Sequence, residues 1–138
     1  MNPFCTERLL PGTPAAVFAA ISDPARLARW WGPAGFTNRF ERFEFQPGGR
    51  WVFDMVGPDG TVYPNESVFE QIEVNRMVVI RHTCQPLFTL TIQLEPAAAG
   101  TRLQWTQLLD DAAIAAAVAH IVVPANEQNL DRLTAELG

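Results

Sequence analysis

Asp23-Pro24-Ala25-Arg26-Leu27-Ala28-Arg29-Trp30-Trp31-Gly32-Pro33 is the stretch that decides the fold of this chain. Ser22-Asp23-Pro24 ends one short helix and starts another, which runs into the tryptophan pair and stops at Gly32-Pro33. Two of the four Trp residues therefore stand side by side at a helix end. Large rings are expensive to expose, so the pair is expected at a helix-to-strand corner, facing apolar structure. At least one of Trp30 and Trp31 should be largely buried, against the C-terminal helix or the strand after Gly35.

Outward from this corner the pattern is punctuated clearly. Before it, Phe4 to Leu10 reads as a strand closed by Pro11-Gly12. Thr13 then caps a helix with Pro14 at its first position and Val17, Phe18 and Ile21 on its apolar face. After it the period falls to two. Phe43 and Phe45, then Trp51, Phe53 and Met55, alternate across Pro47-Gly48-Gly49-Arg50, which reads as a tight hairpin. Gly57-Pro58-Asp59-Gly60 is the next turn, followed by strands at Thr61–Glu73, Met77–Thr83, Phe88–Leu94 and Arg102–Leu109. From Asp110-Asp111 the period is helical again, with Ile114, Val118, Ile121 and Val122, then Leu130, Leu133 and Leu137. Pro124 lies between the two sets and predicts a break or sharp kink, because it removes a donor and leaves the His120 carbonyl unpaired. The order strand, two short helices, about six strands and a long last helix makes one α+β domain over residues 1–138.

Composition narrows the function classes. A chain of 138 residues buries roughly 70% of its unfolded surface around one core. It is 48% hydrophobic and 18% charged, so an apolar excess must go into a large core or a lined cavity. Acidic residues outnumber basic ones 15 to 10, and all of the basic ones are Arg. No basic stripe exists to neutralise phosphates, which argues against nucleic acid. No apolar run is long enough for a spanning helix, and the first residues carry no signal-peptide pattern, so a cytoplasmic protein is expected. Cys5 and Cys84 lack metal or redox spacing and read as two reduced, mostly buried thiols.

The segments Asp23-Pro24 to Pro33, Pro47-Gly48-Gly49-Arg50, Gly57-Pro58-Asp59-Gly60 and Asn129-Leu130-Asp131-Arg132-Leu133 resemble the START-related helix-grip superfamily, often labelled SRPBCC. Within it the chain is similar to the small bacterial single-domain proteins named as activators of heat-shock-protein ATPase. The resemblance runs from Thr6 to Leu137. It implies a curved antiparallel sheet of about seven strands gripping the C-terminal helix, with a cavity between them. Carriers of lipids and hormones, polyketide cyclases, toxin-sequestering proteins and co-chaperone domains share this fold, so fold alone does not assign activity. Many relatives carry Gly-Trp near the last helix where this chain has Ala125-Asn126.

The concave face should then hold Trp51, Phe53, Met55, Tyr63, Phe69, His82, Phe88, Leu90 and Trp105, together with Ile80 and Leu109. Trp30 from the corner and Ile121 from the last helix complete the ligand-binding set. So many rings on one small sheet favour an apolar pocket for a hydrophobic or aromatic small molecule. Polar groups able to reach it are few: Tyr63, Asn65, Glu66, Arg81, His82, Gln107 and His120, the last with a structural role expected beside Pro124. Glu41, Glu44 and Glu70 are expected to face solvent, and Glu127, Asp131 and Arg132 to form the solvated face of the last helix. The nucleophile, phosphate-loop and metal motifs are absent, so no catalytic residue, metal or cofactor is assigned. A ligand-binding protein is the leading reading; a cyclase- or hydrolase-type enzyme in the same cavity and a co-chaperone-like interaction module are the alternatives. A half-covered sheet with few charges to guard its edges also points to a homodimer.

Overall fold

The computed structural model describes residues 3–138. The elements are β1 (Pro3–Leu10), α1 (Pro14–Ser22), α2 (Pro24–Trp30), β2 (Thr37–Phe43), β3 (Arg50–Val56), β4 (Val62–Glu73), β5 (Met77–His82), β6 (Phe88–Ala97), β7 (Gly100–Leu109) and α3 (Ala112–Leu137). The strands form one antiparallel sheet in the order β1-β7-β6-β5-β4-β3-β2. Every pairing except β1 with β7 joins neighbours in sequence, and β1 closes onto β7 across the length of the chain. This is the expected α+β helix-grip arrangement.

Local signals set the element ends. Thr13 accepts a hydrogen bond from the Ala16 N–H, Asp23 from Ala25, and Asp111 from Ala113 and Ile114, so each helix begins on a capping side chain. The β2–β3 connection is longer than a tight hairpin. Pairing stops at Phe43 and Trp51, and Gly48 and Gly49 turn aside to exchange backbone bonds with Phe69 of β4. A Cβ on Gly49 would run into the Glu44 carbonyl, so the approach requires glycine. Irregularities between Phe40 and Arg42 and between Phe69 and Gln71 are bulges that bend the sheet.

Alternation puts Trp51, Phe53, Phe69, Ile80, Leu90, Ile92, Leu103 and Trp105 on one face, all buried. Helices α1 and α2 and the second half of α3 cover it with Val17, Phe18, Ile21, Leu27, Trp30, Leu130 and Leu133. Trp30 is 1% exposed, and its indole N–H donates to the Ala20 carbonyl at 2.9 Å. The corner is thus buried as expected.

Its backbone is held by side chains from elsewhere. The Arg132 guanidinium donates to the carbonyls of Arg29, Trp31, Gly32, Pro33 and Phe36, all within 2.8–3.0 Å. Asn129 donates to the Trp30 carbonyl and Asn38 to those of Ala28 and Trp31. Arg132 therefore does not belong to a solvated face. It caps the carbonyl end of α2, where orphan acceptors and the helix dipole both favour a cation. Glu127 and Asp131 are engaged too, pairing with Arg8 of β1 at 2.9 and 2.8 Å.

Helix α3 continues through Pro124, so of the expected break or sharp kink the break does not occur. His120 and Pro124 are both exposed, so the carbonyl that loses its partner lies on the solvent side of the helix and water can take the bond. The sheet edges also carry more charge than composition suggested. Edge β2 presents Arg39, Glu41 and Arg42, and edge β1 is bridged to α3 through Arg8. Among the described residues no helix is long and apolar enough to cross a membrane.

A second tie joins α2 to α3. Glu136, with a side chain 13% exposed, accepts from Arg29 at 2.8 Å and from Arg26 at 2.9 Å. Arg29, then Arg26, holds its carboxyl down from 4.5 to about 2, against the opposing effect of burial. A carboxylate whose pKa falls on folding stabilises the fold above its unfolded pKa and stops doing so as pH drops through the folded one. Glu136→Gln is therefore expected to lower stability by about 1–2 kcal/mol at neutral pH. Urea curves should show that deficit shrinking below pH 4.5 and gone near pH 2; a deficit independent of pH would rule out the ionic origin.

Candidate functional site

The inner face of the sheet is an aromatic cluster. Trp51 stacks on Phe53 at 4.2 Å between ring centroids and meets Trp31, Phe40, Phe43 and Phe69 at 5.0–6.0 Å. Trp31 lies between two sheet tryptophans, 5.0 Å from Trp51 and 5.8 Å from Trp105. It is half-buried and is the ring of the pair that meets the sheet tryptophans, whereas the Trp30 indole is held by the Ala20 carbonyl of α1. The aromatic set is also wider than expected, since Phe40, Phe43 and Phe45 pack on it from β2 and the loop that follows. Alternating Phe residues in Phe40-Glu41-Arg42-Phe43-Glu44-Phe45 were its signal, blurred by the bulge at position 41.

Two of these rings carry unspent donors. The indole N–H groups of Trp51 and Trp105 are buried without an acceptor among the described residues. A buried donor left unpaired costs about 1–3 kcal/mol and calls for an explanation.

The other expected site residues are distributed as follows. Phe53, Phe69 and Leu90 are buried in the same layer, with Met55 and Phe88 half-buried at its ends. Tyr63 shares the face, opposite Met55, but is 47% exposed and leans on Phe36 at the rim. Ile121 is 59% exposed, on the side of α3 turned away from the sheet. Arg81 points to the outer face, paired with Asp110 at 2.7 Å, and Glu66 pairs with Arg50 in solvent. Glu41, Glu44 and Glu70 are exposed as expected.

Polar groups on the inner face gather at two places. Gln107 accepts from Asn126 of α3 at 3.0 Å, so a hydrogen bond between two side-chain amides ties the helix to β7. His82 is buried and stacks on Phe88 at 4.4 Å. Its Nδ1–H donates to the Pro86 carbonyl at 2.8 Å, and Nε2 lies 2.9 Å from Asn65 Oδ1 and 3.4 Å from Cys84 Sγ. Burial pushes the imidazole below its ordinary value, with the Pro86 bond opposing. The cysteines are both free, but they are not buried as expected. Cys5 is exposed because odd positions of β1 face outward, and Cys84 is half-exposed just past the end of β5.

Beside this cluster, a cleft of about 250 Å³ opens between Gln85-Pro86-Leu87 and Leu109-Asp110-Asp111, with Ile114 of α3 on its wall. It lies at the end of the inner face marked by Phe88, whose strand partners are His82 and Leu109.

Sequence comparison assigns the family. The family described as activator of Hsp90 ATPase homolog 1-like proteins is matched over residues 11–138. The chain belongs to that family. No curated protein matches its sequence. Solved structures share the family's fold. A protein of Arthrobacter aurescens superposes with a TM-score of 0.90 at 24% identity, over 99% of this chain and 86% of its own. One from Chromobacterium violaceum gives 0.85 at 22% identity, over 98% and 96%. The AHSA1-like protein of Aeromonas hydrophila gives 0.80 at 19% identity, over 99% and 95%. At such identities the likeness concerns the fold.

Proposed function

We propose that this family member is a small-molecule binding protein, whose ligand has an aromatic or apolar body and an uncharged hydrogen-bond acceptor. The observation that carries this is the pair of buried indole donors, Trp51 and Trp105, left without acceptors among the described residues on an aromatic wall. A ligand carbonyl would satisfy a donor that the protein alone leaves unpaired. An uncharged group is favoured because the nearby cations are already engaged, Arg8 by Glu127 and Asp131 and Arg132 by backbone carbonyls. Trp31, the half-buried ring between the two, is the one that gives way, and the cleft beside Phe88 is the mouth. Phe53, Met55, Phe69, Phe88 and Leu90 supply the apolar wall, with Tyr63 at its rim.

The test compares 2-acetonaphthone with naphthalene by tryptophan quenching and thermal shift. The ketone is expected to quench and to raise Tm, by an amount equivalent to about 2.7 kcal/mol at 100 Kd, and naphthalene to do so more weakly. Equal responses would discard the acceptor. A flat response to both would favour a docking surface for a protein partner instead.

A further inference from the structure

Asn65, His82 and Cys84 bring an amide oxygen, a base and a thiol together where β4 meets the end of β5. The Nδ1–H of His82 is committed to the Pro86 carbonyl at 2.8 Å, so Nε2 presents its lone pair to Cys84 Sγ, 3.4 Å away. The backbone N–H of Glu66 donates to the same sulfur at 3.4 Å. Asn65 Oδ1 stands 2.9 Å from Nε2, and its orientation is set by its own amide group, which donates to the Tyr63 carbonyl at 2.9 Å. An oxygen facing a lone pair at that distance is unfavourable; once Nε2 carries a proton, the same contact is a charge-assisted hydrogen bond. The surroundings thus hold the ring neutral through burial, yet offer both nitrogens an acceptor when the ring takes a proton from sulfur. This is the arrangement of a nucleophile, its base and an orienting group.

We infer that Cys84 is a nucleophilic thiol, with His82 as its base and Asn65 as a positioning residue, which adds to α,β-unsaturated carbonyl compounds. The Sγ proton passes to His82 Nε2. Sulfur then forms a bond to the β-carbon as the C=C π bond breaks, and the electron pair moves onto the carbonyl oxygen. The Nε2 proton returns to the α-carbon, leaving a thioether and a neutral ring, with no other reagent consumed. The choice of electrophile rests on the reading of the ligand as a carbonyl compound; the nucleophilicity of Cys84 does not. The cleft lined by Pro86, Leu87, Leu109 and Ile114 adjoins this cluster through Pro86, the residue that holds His82, and offers an apolar wall for the carbon skeleton.

The test is alkylation of the native chain with N-ethylmaleimide at neutral pH, followed site by site by mass spectrometry. Cys5 is the internal reference, since it is the more exposed thiol. Cys84 is expected to react at least about tenfold faster than Cys5, reversing the order that exposure alone gives. His82→Gln should bring Cys84 to the Cys5 rate or below, and Asn65→Leu should slow it several-fold. Asn65→Asp, which keeps an oxygen toward Nε2, should restore the rate. Far-UV circular dichroism shows which variants are folded, and the Asn65 pair decides the matter if His82→Gln is not. Faster alkylation of Cys5, or a Cys84 rate unchanged in Asn65→Leu, overturns the inference. Failure of 2-acetonaphthone to bind leaves this result standing, so the two readings fail separately.

Discussion

Arg132→Ala is expected to destabilise the protein by about 3–5 kcal/mol, the scale for removing a partly buried charge that satisfies several groups at once. One guanidinium serves five carbonyls between Arg29 and Phe36. Without it the carbonyl end of α2 and the following loop lose their shared donor, while Asn129 and Gln128 hold one point each and Asn38 two. Arg132→Lys should recover less than half of the loss, because an ammonium is a point charge and cannot reach both sides of the loop as the planar fork does. Urea denaturation gives the measurement, with an unchanged m-value indicating that stability alone has moved. A loss under about 1 kcal/mol for the Ala variant would show that the corner is held by ring packing, with the clamp redundant.

The second large effect separates the shape of Trp51 from its donor. Trp51 has no exposed surface and touches rings from α2's end, β2, β3 and β4. Trp51→Ala should lose about 3–5 kcal/mol through lost transfer energy and the cavity left behind. Trp51→Phe keeps much of the ring contact and removes a donor that has no acceptor among the described residues, so it should lose only about 1 kcal/mol or less. Its effect on binding is expected to run the other way, weakening 2-acetonaphthone about tenfold while naphthalene is little changed. If both variants lost stability equally, the unpaired donor would have no energetic meaning, and the proposed ligand chemistry would lose its support.

Much of this fold could be read from single residues. Thr13, Asp23 and Pro14 mark helix starts because capping and proline chemistry are local, and Trp51-Val52-Phe53-Asp54-Met55 declares a strand because its period is two. What depends on distant partners was not legible. Arg132 looked like a solvated helix residue, since nothing near it in sequence shows that five carbonyls lie about a hundred positions upstream. Pro124 looked like a breaker because a proline inside a helix removes a donor, and only the structure shows that His120 and Pro124 stand on an exposed turn where water can take the freed bond. Tyr63 and Ile121 fitted the inward pattern by parity and spacing, but period says which face a residue takes and not whether another element covers it. For Cys84 the signal was present: His82 and Cys84, two apart at a strand end, share a face. Only the contact with Asn65, seventeen positions before His82, gives that spacing a chemical meaning.

The clamp on the corner also bears on how fast a ligand could arrive. Trp31 is tethered through its carbonyl to Asn38 and Arg132 and through its N–H to Leu27. Its main chain is therefore a fixed anchor, and the indole can clear the space between Trp51 and Trp105 only by turning about its own side-chain bonds. Access set by a single ring hopping between rotamers needs no hinge and no loop closure. Association should then follow one exponential phase, linear in ligand concentration, without the plateau that a slow opening of the backbone would impose.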